Sequence, residues 1–259
     1  MIFDTHTHLH FSDYDEDREE VIERARKEGV GALIEVGVDL EDSRKAIELA
    51  QRYEFIYTAI GVHPHYADKA EIEKFEALAE EKKVVAIGEV GIDYFRSPVP
   101  KSVQQRVFRQ FIRLAKKHNL PVIVHSRSEE KEGKGAKNAY LDALKILKEE
   151  KVEKGVFHCF CADREVAKEV LETGFFLSFT GNLTYPNAQT IRDTLKFTPL
   201  ERMLLETDCP FLPPQEKRGK RNEPAYLRYV LYRLAEIKEI SLADIEKITT
   251  RNAQRLFGV

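Results

Sequence analysis

Histidines occupy alternate positions, 6, 8 and 10, in the opening stretch MIFDTHTHLH. Alternation is the period of a β-strand, where residues two apart face one side at roughly 6 to 7 Å. His6 and His8 can therefore pinch one ion, and neutral imidazole suits Zn²⁺ and related divalent metals. The apolar lead-in Ile2-Phe3 argues against a tag scar. Further ligand types recur down the chain, each at or near the end of a short apolar run. They are His63 and His65 in GVHPH, Glu89 in VVAIGEV, His125 in PVIVHS, His158 in GVFHCF and Asp208 in MLLETD. A single strand-end histidine is as often a satisfied core residue as a ligand, and a single buried glutamate can be paired with an arginine. Repetition of the pattern at strand after strand points instead to a metal site. The six from five of these strands, His6, His8, Glu89, His125, His158 and Asp208, are many for one catalytic ion that keeps an open position; they suit two ions roughly 3.5 to 4 Å apart that share a carboxylate.

Other candidates read more plainly. His118, at the end of a helical stretch, is a dipole-friendly cap. His10 and His65 stand between exposed polar residues and substrate contacts. Cys159 and Cys161 are odd neighbours of His158, so on a regular strand they face away from it and serve as buried apolar filler.

For these side chains to meet, the elements carrying them must converge. Eight β-rich runs alternate with amphipathic stretches: IFDTH, ALIEVG, FIYTAIG, VVAIGEV, PVIVHS, GVFHCF, FFLSF and MLLETD. The helical stretches include DREEVIERARKEG, DSRKAIELAQRY, SVQQRVFRQFIRLAKKHN and REVAKEVLETG, with Ser43 and Asp163 as N-caps and Gly29 and Gly174 as stops. Eight βα units in about 250 residues predict a (β/α)8 TIM barrel, whose strand ends share one mouth. A doubly wound open sheet is the competing α/β arrangement. No repeat, low-complexity tract or linker interrupts the pattern, so residues 1–259 are expected to form one domain.

Composition narrows the function classes. Hydrophobic residues make up 42% of the 259 residues and charged ones 33%, enough for a core. The net charge of -3 gives no global attraction to nucleic acid, so such binding needs a local patch. Three cysteines without a CxxC pair fit a reducing compartment, and no signal peptide or long apolar run is seen. A cytoplasmic protein with no membrane role and no obligatory protein partner is expected.

The motifs DTHTHL, GVHPH, GEVGIDYFR, PVIVHSR, GVFHCF, ETDCPFL, GKRNEPAYL and NAQRLFG run through nearly the whole chain. In that order they resemble the TatD family of metal-dependent deoxyribonucleases, within the amidohydrolase-like barrel superfamily. The resemblance implies metal-binding roles for His6, His8, Glu89, His125, His158 and Asp208, and a substrate contact at His63. The chain departs from the family's usual pattern at His10, Ser128 and Cys161, none of them a ligand position. In the expected arrangement His6, His8 and Asp208 hold one divalent ion (Zn, Mg or Mn) and His125 and His158 a second. Glu89 is shared between them, and Asp208 is the general base.

Arg96, Lys101, Arg127, Lys217, Arg218, Lys220 and Arg221 follow strand ends and could meet phosphate, for which Arg127 and Arg221 offer bidentate forks. Tyr66, Tyr94, Phe95 and Phe211 could stack bases. The expected function is phosphodiester hydrolysis in DNA, 3′-5′ exonuclease-like, on single strands or ends. The alternatives are an amidohydrolase-type enzyme acting on small esters, lactones or amides, and a binding module with a structural metal.

Overall fold

The computed structural model describes residues 1–128 and 138–259. Among the described residues there are eight strands: β1 Ile2–Thr7, β2 Val30–Val36, β3 Ile56–Ile60, β4 Val84–Asp93, β5 Val122–Arg127, β6 Gly155–Phe157, β7 Phe176–Phe179 and β8 Met203–Leu205. They lie in chain order in one sheet, and every neighbouring pair from β1·β2 to β7·β8 is parallel. The ring closes just beyond β8, where Thr7 bridges Cys209 and Asp208 N–H donates to the His6 carbonyl at 2.9 Å. A sequential order whose last strand meets its first is a barrel; an open doubly wound sheet would leave two edges.

The helices are α1 Arg18–Lys27, α2 Leu40–Arg52, α3 Phe75–Leu78, α4 Lys101–Lys117, α5 Asn138–Glu149, α6 Arg164–Glu172, α7 Gln189–Phe197, α8 Leu227–Lys238 and α9 Leu242–Phe257. Their apolar stripes cover the outside of the barrel. In α4, Val107, Phe108, Phe111, Ile112, Leu114 and Ala115 are buried, the three- and four-residue spacing of one helix face. α9 closes the amino-terminal end of the barrel: Ala253, Leu256 and Phe257 pack with Phe3, Ile34 and Leu204. The other end is left to polar residues.

Punctuation agrees with expectation at three places and departs at one. Asp163 caps α6 by accepting from the Glu165 and Val166 amides at 3.1 Å, and Gly29 and Gly174 leave α1 and α6 at φ +87° and +84°. The cap of α2, however, is Asp39, which accepts from Asp42 N–H at 2.9 Å. Ser43 lies inside that helix, buried, with its hydroxyl 3.3 Å from the Gly61 amide. Three strands also differ in length. β4 runs on to Asp93, whereas β6 and β8 stop at Phe157 and Leu205. His158 and Asp208 therefore sit on turns just past their strands. Cys159 at φ +45° breaks the strand path on which the cysteine reading relied, and Cys161 is exposed rather than filling the core.

Candidate metal centre

β1 carries Asp4 and His6 on its inward side. Asp4 is fully buried and accepts from Thr207 N–H at 2.9 Å and Thr207 Oγ1 at 2.6 Å, which ties the end of β8 to β1. Burial pushes its carboxyl well above the ordinary range, against the opposing Thr207 hydrogen bonds. His6 is buried beside it, and His8, just past the strand, turns the same way. The two Nε2 atoms are 3.2 Å apart. Asp208 Oδ1 lies 3.8 Å from His6 Nε2 and 3.6 Å from His8 Nε2.

Glu89 enters from β4 and sits in the middle of the cluster. Its Oε2 is 3.4 Å from His6 Nε2, while its Oε1 is 2.6 Å from His125 Nδ1 and 2.8 Å from His158 Nε2. His125 Nδ1 and His158 Nε2 are 3.2 Å apart. The register of β4 slips between Ile87 and Val90, and beyond the slip Gly91 lies opposite His125. All six residues expected to bind metal are thus gathered, three on the β1 and β8 side and two on the β5 and β6 side, with Glu89 between.

Electrostatics follow from that crowding. Burial works against the Glu89 anion, but His158, His63 and the hydrogen bonds from His125 and His158 hold its carboxyl well below the usual range. His158 is moved well up: burial opposes its charge, and Glu89 and Glu206 outweigh it. Burial, aided by His158, lowers His6. His63 is driven down to about 3 by burial, with His125 adding to it. Its Nε2 is 3.7 Å from Glu89 Oε1, so the expected substrate contact lies beside the cluster as a neutral ring.

Several neighbours were not anticipated. Asp93 Oδ2 lies 3.1 Å from both His125 Nε2 and His65 Nε2. Glu206 Oε1 is 3.5 Å from His158 Nδ1 and accepts from Cys159 N–H at 2.6 Å. Such partners orient a ligating imidazole from behind. Both had a signal in the sequence: Asp93 shares strand parity with Glu89, and Glu206 with Asp208. His10 is not exposed. It is buried between Glu35 Oε2 at 2.6 Å and Asp42 Oδ2 at 2.9 Å. Burial opposes its charge, yet the two carboxylates raise it to about 9. His118 ends α4 with Nε2 3.1 Å from Glu76.

The basic residues are less free than their exposure in sequence suggests. Arg221 pairs with Asp17 at 2.7 Å, donates to the Asp13 carbonyl and lies 4.3 Å over the Tyr14 ring. Arg218 covers Tyr185 at 4.4 Å, and Lys217 lies between Tyr226 and Tyr229 at 5.0 and 5.7 Å. Arg127 and Arg96 lie over Phe95 at 4.3 and 5.0 Å, and Lys101 over Tyr94 at 4.3 Å.

The donor set fits a divalent cation. His8 Nδ1 faces the Val36 carbonyl at 2.7 Å and so takes its proton there, leaving a lone pair on Nε2 aimed at His6 Nε2. Buried, converging lone pairs and carboxylate oxygens repel one another unless a positive charge lies among them. Within the cluster, His6, His8 and Glu89 form one group whose ligand atoms lie within 4.8 Å of one another. His63, Glu89 and His125 form a second such group, and His6, His158 and Glu206 a third.

Comparison with known proteins gives a consistent picture. The sequence profile of a family described as TatD related DNase matches residues 3–258. The chain is 46% identical to the uncharacterized metal-dependent hydrolase YabD of Bacillus subtilis, across 100% of both chains. It is 35% identical to the 3′-5′ ssDNA/RNA exonuclease TatD of Cronobacter sakazakii, over 99% of this chain and 97% of that one. Among solved structures, YJJV, a TatD homologue from Escherichia coli K12, superposes with a TM-score of 0.91 at 31% identity, covering 100% of this chain and 98% of the other.

Proposed function

Since the chain belongs to the family of TatD-related DNases, a family of metal-dependent hydrolases, we propose that it hydrolyses phosphodiester bonds of DNA, working from the ends of single strands in a 3′-5′ direction. The observation that carries the reading is the gathering of His6, His8, Asp208, His125 and His158 around the buried carboxylate of Glu89 at a barrel mouth. The similarity to a relative named as a 3′-5′ ssDNA/RNA exonuclease supports the substrate class.

His6, His8 and Asp208 would hold one divalent cation, His125 and His158 a second, with Glu89 common to both. Bound there, Zn²⁺, Mg²⁺ or Mn²⁺ would supply Lewis acidity, acidifying water and neutralising charge on the attacked phosphoryl group. Asp208 accepts the proton of the attacking water. Burial opposes its charge, but the neighbouring His8, His6 and His158 keep its carboxyl below the usual range, so Asp208 is an anion at neutral pH. His63 stays uncharged and offers Nε2 to a substrate oxygen without competing for cation. Arg127, braced on Phe95, presents its fork to a phosphate. Arg221 does so through the part of its guanidinium that Asp17 and Asp13 leave open. The whole chain acts as one domain.

The same cluster would serve a small ester, lactone or amide, and the arginines and aromatic rings around it favour the phosphodiester. The deciding experiment is hydrolysis of a short single-stranded DNA with Mg²⁺, Mn²⁺ or Zn²⁺ added separately, comparing wild type, Glu89→Ala and chelated protein. Cleavage should need both Glu89 and metal. A folded, metal-loaded wild type that leaves DNA intact but cleaves a small ester would move the substrate to the alternative class.

A further inference from the structure

Phe211 projects from the turn after β8 with 52% of its surface exposed, three residues beyond Asp208. Exposure alone says little about an aromatic residue; its mounting says more. Asp208 at φ +56° and Leu212 at φ +51° bracket the turn in the left-handed region, which non-glycine residues adopt only when held there. Asn222, buried, does the holding. Its Nδ2 donates to the Phe211 carbonyl at 2.6 Å and the Thr207 carbonyl at 2.9 Å, and its N–H to the Pro210 carbonyl at 3.1 Å. The Phe211 N–H returns to the Asp208 carbonyl at 2.9 Å.

Behind the ring stands a short aromatic ladder leading into the cluster. Phe11 meets Phe211 edge-on at 6.3 Å and stacks on His8 at 4.6 Å with an interplanar angle of 18°. Phe211 is itself 6.1 Å from His8. The other mouth aromatics differ. Phe95 is covered by two guanidinium groups and Tyr94 by Lys101. Among the described residues no cation lies over Phe211. Tyr66 is 42% exposed, less than Phe211, with the His63 ring edge-on behind it at 6.5 Å, on the far side of Glu89.

We propose that Phe211 is a stacking platform for an unpaired nucleobase, the 3′-terminal base of the strand whose backbone enters the cluster. The inference rests on the nuclease reading and adds a subsite to it. A rigidly mounted apolar ring costs little further entropy on binding, and an unpaired 3′-terminal base is free to turn onto it, whereas a paired one is held in place by its complement. Selection of single strands then comes from this ring.

The test uses the full chain loaded with Mn²⁺ and two single-stranded oligonucleotides that differ only at the 3′-terminal residue, one bearing a base and one an abasic tetrahydrofuran. Wild type should prefer the first. Phe211→Ala and Phe211→Leu should lower kcat/KM on it about tenfold, mostly through KM, and leave the abasic strand unaffected; Phe211→Trp should restore the preference. Unchanged cleavage of the abasic strand also reports intact folding. Equal losses on both strands, no loss on either, or removal of the preference by Tyr66→Ala instead, overturns the subsite while leaving the nuclease reading in place. Failure of wild type to cleave either strand, with a small ester still hydrolysed, overturns both.

Discussion

His8 is turned by Val36: the 2.7 Å contact from Nδ1 to the Val36 carbonyl fixes which nitrogen of the ring faces His6. That backbone oxygen belongs to β2, so the neighbouring strand determines how β1 presents its ligand type. Lone pairs brought together in this way call for a cation. Adding Zn²⁺ or Mn²⁺ at about 100 times Kd should stabilise the chelated protein by about 2.7 kcal/mol, or roughly 5 to 10 °C in Tm. Glu89→Ala should abolish most of that rise. Melting curves indifferent to metal would end the metal-centre reading.

His10 should be structural. Replacing it with alanine leaves Glu35 and Asp42 facing each other without their common partner, the kind of loss that costs about 3 kcal/mol. Urea denaturation of His10→Ala checks this; an unchanged midpoint would mean that the Glu35–His10–Asp42 bridge contributes nothing.

For the phosphate contacts, Arg127→Ala should raise KM for single-stranded DNA about tenfold and leave hydrolysis of a neutral ester untouched. Arg221→Ala combined with Lys220→Ala should also weaken DNA cleavage. It should in addition lower stability by about 1 kcal/mol, because Arg221 loses Asp17 and the Tyr14 face. Full DNA turnover by both the single and the double variant would remove phosphate recognition from these loops.

Asp17 supplies a pH signature outside the metal cluster. The Arg221 hydrogen bond, aided by Arg24, holds its carboxyl below the ordinary value. A depressed carboxylate contributes stability above its unfolded pKa of about 3.9 and loses it as pH falls through the folded value. The pair is partly solvated, so Asp17→Asn should cost only about 0.5 kcal/mol at pH 7, one or two degrees in Tm. That difference should fade below pH 4. A gap that widened in acid would contradict the pairing.

The barrel was legible because strand and helix periods alternate cleanly in the sequence, and parallel strands of such a chain have few other ways to close. The gathering of His6, His8, Glu89, His125, His158 and Asp208 was legible for the same reason, since strand ends share a mouth. What escaped were features set by pairs. Glu35 interrupts an apolar run, but nothing in the sequence says that His10, 25 residues earlier, is its partner. Asp93 and Glu206 carry the right parity, yet parity cannot say which of two nearby carboxylates faces an imidazole from the front and which from behind. Cys161 was misread because one left-handed residue, Cys159, redirects the chain after β6. The ring partners of the basic loop after β8 escaped for a related reason: Tyr14 and Tyr185 come from elsewhere in the sequence to lie under Arg221 and Arg218, while Tyr226 and Tyr229 fold back from just beyond the loop onto Lys217.

The seam of the barrel has a consequence for the order of events in the cell. Asp4 with Thr207, and Thr7 with Cys209, join segments about 200 residues apart. His6 and His8 leave the ribosome about 200 residues ahead of Asp208, which emerges only after all eight strands have been made. Until then the β1 half of the cluster lacks its carboxylate from β8, and the ring that shields it from water is open. A growing chain can therefore grip a cation only loosely, and full metal loading waits until synthesis has passed the last strand.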